Sequence, residues 1–134
     1  MTKFESKRII INAPCEKVYD FMADFNNFEK LLPDRVSNWQ ATSDSCSFKI
    51  EGIGNLAMRI ESKTPCSQIH IVSDGDNPVN YSLDCFFYKY EKEQCETEIV
   101  FDAELSAFMQ MVASKPLQNF VNMLVDKLKE LFEQ

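Results

Sequence analysis

The stretch Ile11-Asn12-Ala13-Pro14-Cys15-Glu16-Lys17-Val18-Tyr19-Asp20-Phe21-Met22-Ala23-Asp24 changes hydrophobic period in mid-course, and the rest of the chain reads outward from that change. Upstream, Ile9-Ile10-Ile11 closes a strand predicted from about Lys3 to Asn12. The tract Asn12-Ala13-Pro14 stops it. Pro14 suits the first turn of a helix, where its missing N–H costs little. Val18, Phe21 and Met22 then recur at helical spacing, and Asp24 closes the segment.

Downstream, a second short helix is predicted over about Phe25–Leu32, with Phe28, Leu31 and Leu32 on one face and Pro33-Asp34 at its end. From Val36 to Leu105 the period becomes two. Phe48 and Ile50 alternate with polar neighbours, as do Leu56, Met58 and Ile60. The same holds for Ile69 and Ile71 about His70, for Tyr81, Leu83, Cys85 and Phe87, and for Ile99, Phe101 and Ala103. An apolar side opposite a mostly polar one marks an antiparallel sheet with one covered face. Gly52-Ile53-Gly54, Asp74 to Pro78 and Glu91 to Glu96 read as hairpin connections. The chain closes on a long amphipathic helix carrying Leu117, Phe120, Val121, Leu124, Val125, Leu128, Leu131 and Phe132. Pro116 cannot bond back to Val112, so it either starts this helix or kinks one that begins near Ala107. The order is β-α-α-β6-α, an α+β chain of about seven strands.

At 134 residues, without repeats, linkers or a break in composition, residues 1–134 are expected to form a single domain. Fourteen basic and twenty-one acidic residues give a net charge of −7. Such a chain repels phosphate backbones, which disfavours nucleic acid and anionic membranes as partners. No apolar run reaches the length of a membrane span, and Met1 to Arg8 carries no signal-like apolar core. The expected location is cytoplasmic, without integral membrane association. Cys15, Cys46, Cys66, Cys85 and Cys95 are odd in number and lack CxxC spacing, so all five are expected to be reduced.

The tract Ile11 to Asp24 resembles the opening of the SRPBCC superfamily. That group includes START lipid-transfer domains, birch-pollen-allergen-like proteins, polyketide cyclase/dehydrase-like proteins and coenzyme Q-binding proteins. Phe28 and Leu31-Leu32-Pro33 match the usual second helix, and Lys115-Pro116-Leu117 to Leu131 the closing one. The resemblance covers the whole chain in element order and its first thirty-odd residues in wording. It implies a helix-grip fold, a curved antiparallel sheet wrapped around the C-terminal helix. It also implies a pocket between them that takes lipids, polyketides, sterols or aromatic compounds.

Catalytic constellations are thin. The single histidine, His70, sits on the polar side of its strand, where it cannot serve an inner nucleophile. The cysteines are scattered over separate elements, so no metal site and no cofactor are expected. Gly52-Ile53-Gly54 precedes a strand pattern, whereas a phosphate loop must precede a helix N-terminus. Arg8, Arg35 and Arg59 could meet an anionic headgroup. Three apolar residues in a row leave the register of Arg8 open, with an exposed position expected.

The candidate ligand-binding residues are Phe28, Leu32, Phe48, Ile50, Met58, Ile60, Tyr81, Leu83, Phe87, Phe101, Met109, Phe120, Met123 and Leu124. Each of them would equally serve a plain core. Met109, Met111 and Met123 would adapt to varied ligand shapes. Empty space is expensive: at about 24 cal/mol per Å³, a dry ~400 Å³ void would cost on the order of 10 kcal/mol, a domain's whole stability. A large pocket must therefore be wet, ligand-filled or collapsed on its side chains. The expected function is binding or transport of an apolar or amphipathic small molecule, a lipid, polyketide or aromatic compound. Two alternatives stand beside it. One is a polyketide cyclase/dehydrase-like enzyme using Tyr81, Glu51 or Asp84. The other is a protein-interaction module of the Hsp90-activator type, with the outward Phe86, Tyr88 and Tyr90 as its contact face.

Overall fold

The computed structural model describes residues 2–31, 36–50, 54–75 and 80–133. Its strands are β1 (Thr2–Glu5), β2 (Ile9–Ile11), β3 (Val36–Ala41), β4 (Ser45–Ile50), β5 (Gly54–Thr64), β6 (Gln68–Ser73), β7 (Tyr81–Lys89) and β8 (Cys95–Ala103). The helices are α1 (Cys15–Met22), α2 (Phe25–Phe28), which runs into a 3-10 turn at Glu29–Leu31, and α3 (Ala107–Phe132). The strands form one antiparallel sheet in the order β1-β8-β7-β6-β5-β4-β3, with β2 also paired to β8. α3 packs against β1, β2, β8 and the 3-10 turn, and α1 lies beside β7 and β8.

Leu32, Arg35, Glu51 and the turn residues Gly52-Ile53 and Asp76-Asn77-Pro78 lie outside the described residues.

Two features depart from the sequence reading, and the place of Pro116, left open there, is decided. The predicted first strand is two strands. Glu5 pairs with Val100 and Ile9 with Thr97, so four steps along one strand meet three along the other. One extra residue in a ladder is the signature of a bulge, and it reverses the facing of everything beyond it. Buried Ser6 stitches the break: its backbone N–H donates to Ile99 O at 2.8 Å, and its Oγ accepts from Ile99 N at 2.9 Å. The reversal sends Ile9 and Ile11 inward and Arg8 outward, which settles the open register.

Pro116 does not start the main helix. α3 runs unbroken from Ala107, capped by the Ser106 hydroxyl, which accepts from Met109 N at 3.2 Å. Val112, whose carbonyl loses its usual donor to the proline, is exposed, so the gap falls on the solvent side.

The cysteines are not all reduced. Cys15, the first residue of α1, and Cys95, the first of β8, form a disulfide with their Cα atoms 4.9 Å apart. A separation of 80 residues hides such a pair from any spacing rule. Cys46, Cys66 and Cys85 are free.

Candidate ligand-binding core

The inner face of the sheet is set by strand alternation. Phe48 and Ile50 from β4, Met58 from β5, Tyr81, Leu83 and Phe87 from β7 and Phe101 from β8 all point inward and are buried. α2 contributes Phe28, and α3 contributes Phe120 and Leu124. These side chains belong to one continuous apolar cluster, with Ile60 and Met109 half-buried at its edge. Met123 departs from the expected set: it is 37% exposed, on the side of α3 turned from the sheet, and Met111 is 84% exposed. Helical spacing alone misplaces them because Leu124 and Val125 already occupy the inward position of that turn.

Aromatic contacts form two larger groups in the cluster, with separate pairs beside them. At the α2 end, Phe28 meets Phe25 edge-on at 5.0 Å and lies nearly parallel to Trp39 at 6.5 Å, and Trp39 also contacts Phe48 at 5.4 Å. At the β1 end, Tyr81 stacks on Phe101 at 5.1 Å, and Phe101 meets Phe4 at 6.4 Å. Tyr19 of α1 packs edge-on against Phe87 at 5.8 Å.

Trp39, the chain's single tryptophan, is a contact the sequence reading missed. The β3–β4 ladder shifts register between Ser37 and Gln40, and Asn38 takes φ 56°, a left-handed conformation that asparagine tolerates better than most residues. That irregularity breaks the period-two pattern that would have announced Trp39.

The electrostatics of the core are those of an apolar container. Among the described residues, the buried polar or charged side chains are Ser6 and Thr97, both at the β1–β2–β8 edge. Burial pushes the Tyr81 phenol above its ordinary value, so it stays protonated and serves as a donor. It donates to Ala57 O at 2.8 Å, a carbonyl that also accepts from Asp74 N at 2.9 Å. Tyr81→Phe is expected to cost about 1 kcal/mol in urea unfolding, since Ala57 O keeps its second donor. A loss above roughly 3 kcal/mol would mean that the hydroxyl anchors more than this one bond.

The outer face carries the remaining candidates. His70 faces outward, as expected, with Nδ1 2.6 Å from Asp84 Oδ1 and Nε2 3.7 Å from Glu61 Oε1. Gln68 also donates to Asp84, at 3.0 Å. Arg8 is held by Glu96 and Glu98 at 3.1 and 3.3 Å, with its guanidinium 4.7 Å from the centre of the Tyr88 ring. Arg59 lies near Glu61 and Asp74 at 3.7 and 3.8 Å. Both arginines are thus engaged outside the core. Phe86 and Tyr88 stack on each other at 6.4 Å, on the same outer face. Among the described residues no group of histidine, cysteine and carboxylate side chains has metal-binding geometry.

This arrangement, one antiparallel sheet laid on a long C-terminal helix with two short helices after the N-terminal strands, recurs in solved structures. A START superfamily protein from Mycobacterium smegmatis superposes with a TM-score of 0.73 at 12% identity, over 98% of this chain and 97% of that one. The fold is the helix grip. The helix-grip likeness extends to a norcoclaurine synthase from Thalictrum, solved with a transition-state analogue (TM-score 0.77, 9% identity, 98% and 94% of the two chains). It extends also to the Aha1 dimer of Colwellia psychrerythraea (TM-score 0.66, 18% identity, 99% and 97%). No family sequence model and no curated protein matches the sequence. The resemblance carried by Ile11 to Asp24 therefore holds for the fold of the chain as a whole. No described helix is long and apolar enough to cross a membrane.

Proposed function

We propose that the chain binds an apolar or amphipathic small molecule, a lipid, polyketide or aromatic compound, between the inner face of the sheet and α3. The observation that carries this reading is the composition of the enclosed face. It is a continuous apolar cluster, rich in aromatic rings, into which the described elements bring no buried charge. Ligand sites are lined mainly by such side chains, with a few polar groups to fix orientation. In this reading Tyr81 OH, whose proton goes to Ala57 O, offers its oxygen as one such group. A dry void is costly, so side chains gathered in one cluster must part to admit a ligand. Binding then requires α2 and the half-buried Trp39, Ile60 and Met109 to give way at the edge of the cluster.

Trp39 supplies the readout. Protein purified without detergent is analysed by native mass spectrometry, with its organic extract in parallel, and then titrated with an amphipathic aromatic probe such as anilinonaphthalene sulfonate. The expected results are a stoichiometric adduct lost on denaturation and a saturable change in Trp39 emission. A bare mass together with unchanged Trp39 emission through the titration would overturn the reading.

A further inference from the structure

The disulfide shares a groove with a third cysteine. A groove of about 550 Å³ is lined by Pro14, Cys15 and Glu16 from the start of α1, by Cys66 from the β5–β6 turn, and by residues of the β7–β8 connection. Cys15 is half-buried and borders this groove, whereas Cys95 is 0% exposed. Of the two cysteines Cys15 is the one open to an incoming thiolate, and attack there leaves Cys95 as the leaving group.

Cys66 is held at the groove by its surroundings. The next residue, Ser67, accepts a hydrogen bond from Phe87 N at 2.8 Å, and Tyr19, one turn along α1 from Cys15, packs on that same Phe87. Cys66 itself sits at φ 59°, a left-handed conformation that disfavours residues other than glycine. The half-buried side chain placed there borders the groove that also exposes the disulfide.

We propose that this end of the domain is a thiol–disulfide exchange site, in which Cys66 attacks Cys15 and moves the tether of α1 from β8 to the β5–β6 turn. The step is isomeric. Cys66 gives up its proton to solvent, its thiolate forms the new bond to Cys15 Sγ, and the Cys15–Cys95 bond breaks. Cys95 leaves with the electron pair and takes up a proton, so no outside oxidant or reductant enters. The released thiol has polar neighbours in place, with Glu96 O at 3.8 Å and Thr97 Oγ1 at 3.9 Å. The other two thiols stay out of the exchange. Cys46 and Cys85 are buried, and burial pushes Cys46 up to about 12 and Cys85 upward as well.

The test uses the full chain equilibrated in glutathione buffers of graded reduced-to-oxidised ratio, quenched with N-ethylmaleimide and digested without reduction. Peptide mass spectrometry should find a Cys15–Cys66 link beside Cys15–Cys95. In Cys95→Ser, oxidised by glutathione disulfide, Cys15 and Cys66 should lose their maleimide labels together and appear as one linked peptide. In Cys66→Ser only the Cys15–Cys95 link should remain. The proposal is overturned if folded Cys95→Ser, checked by circular dichroism, keeps both labels. Should that variant fail to fold, wild-type protein with no Cys15–Cys66 link at any glutathione ratio overturns it equally.

Discussion

Replacing Cys15 by serine is expected to lower the unfolding free energy of the oxidised protein by about 4 kcal/mol, the largest single effect outside the aromatic core. The bond joins residues 80 apart and so removes a long closed loop from the unfolded ensemble. Chain-entropy estimates for loops of that size fall between about 4 and 5 kcal/mol, within the range measured when native disulfides are removed. Cys15 suits the test because it is half-buried, so serine adds no buried polar group, and because its loss abolishes any link to Cys66 as well. In urea the transition midpoint should fall by roughly 2 M for a domain of this size. Adding reductant should bring wild-type protein down to the variant and leave the variant where it was. A midpoint shift below roughly 0.5 M would show that the bond constrains little that is free in the unfolded chain.

Phe28→Ala should cost about 3–5 kcal/mol. Phe28 is buried between Phe25 and Trp39, so it links α2 to the irregular strand β3 and, through Trp39, to Phe48. Truncation removes the transfer energy of the ring and leaves a cavity that the anchored sheet closes only in part. Two further readouts separate this from general unfolding. Trp39 loses its parallel neighbour, so native-state emission should shift to longer wavelength. The space left is apolar, and an apolar cavity of that kind stays dry and accepts a small aromatic molecule, so benzene should recover part of the lost stability. Tyr90→Ala, at an exposed ring of the β7–β8 turn, should stay within about 0.5 kcal/mol of wild type. A Phe28→Ala cost as small as that would mean that the aromatic group at the α2 end is not packed as described.

The two expectations concern opposite ends of one construction. The Cys15–Cys95 bond fixes the start of α1 to β8, while Phe28, Trp39 and Phe48 join α2 to the far strands β3 and β4. Between them lies the enclosed apolar face on which the proposed ligand would rest. The outer face is finished differently. Arg8 covers one side of Tyr88 and is itself held by Glu96 and Glu98, so much of the aromatic run Phe86–Tyr90 is already engaged within the chain.

The sequence by itself determined the element order, the antiparallel sheet with one covered face, and the inward set Phe48, Ile50, Met58, Tyr81, Leu83, Phe87 and Phe101. These are readable because side-chain facing in a strand has a period of two and burial follows from it. The outward position of His70 was legible for the same reason. Only the tertiary structure decided what depends on a broken period or a distant partner. The bulge at Ser6 turns Arg8 outward, the shift at Asn38 hides Trp39 from the pattern, and the one-sided packing of α3 leaves Met111 and Met123 in solvent. The same holds for Cys15 and Cys95. Local periodicity fixes which way a residue faces, but which cysteines meet depends on how α1 settles against β7 and β8, a contact that no spacing along the chain encodes.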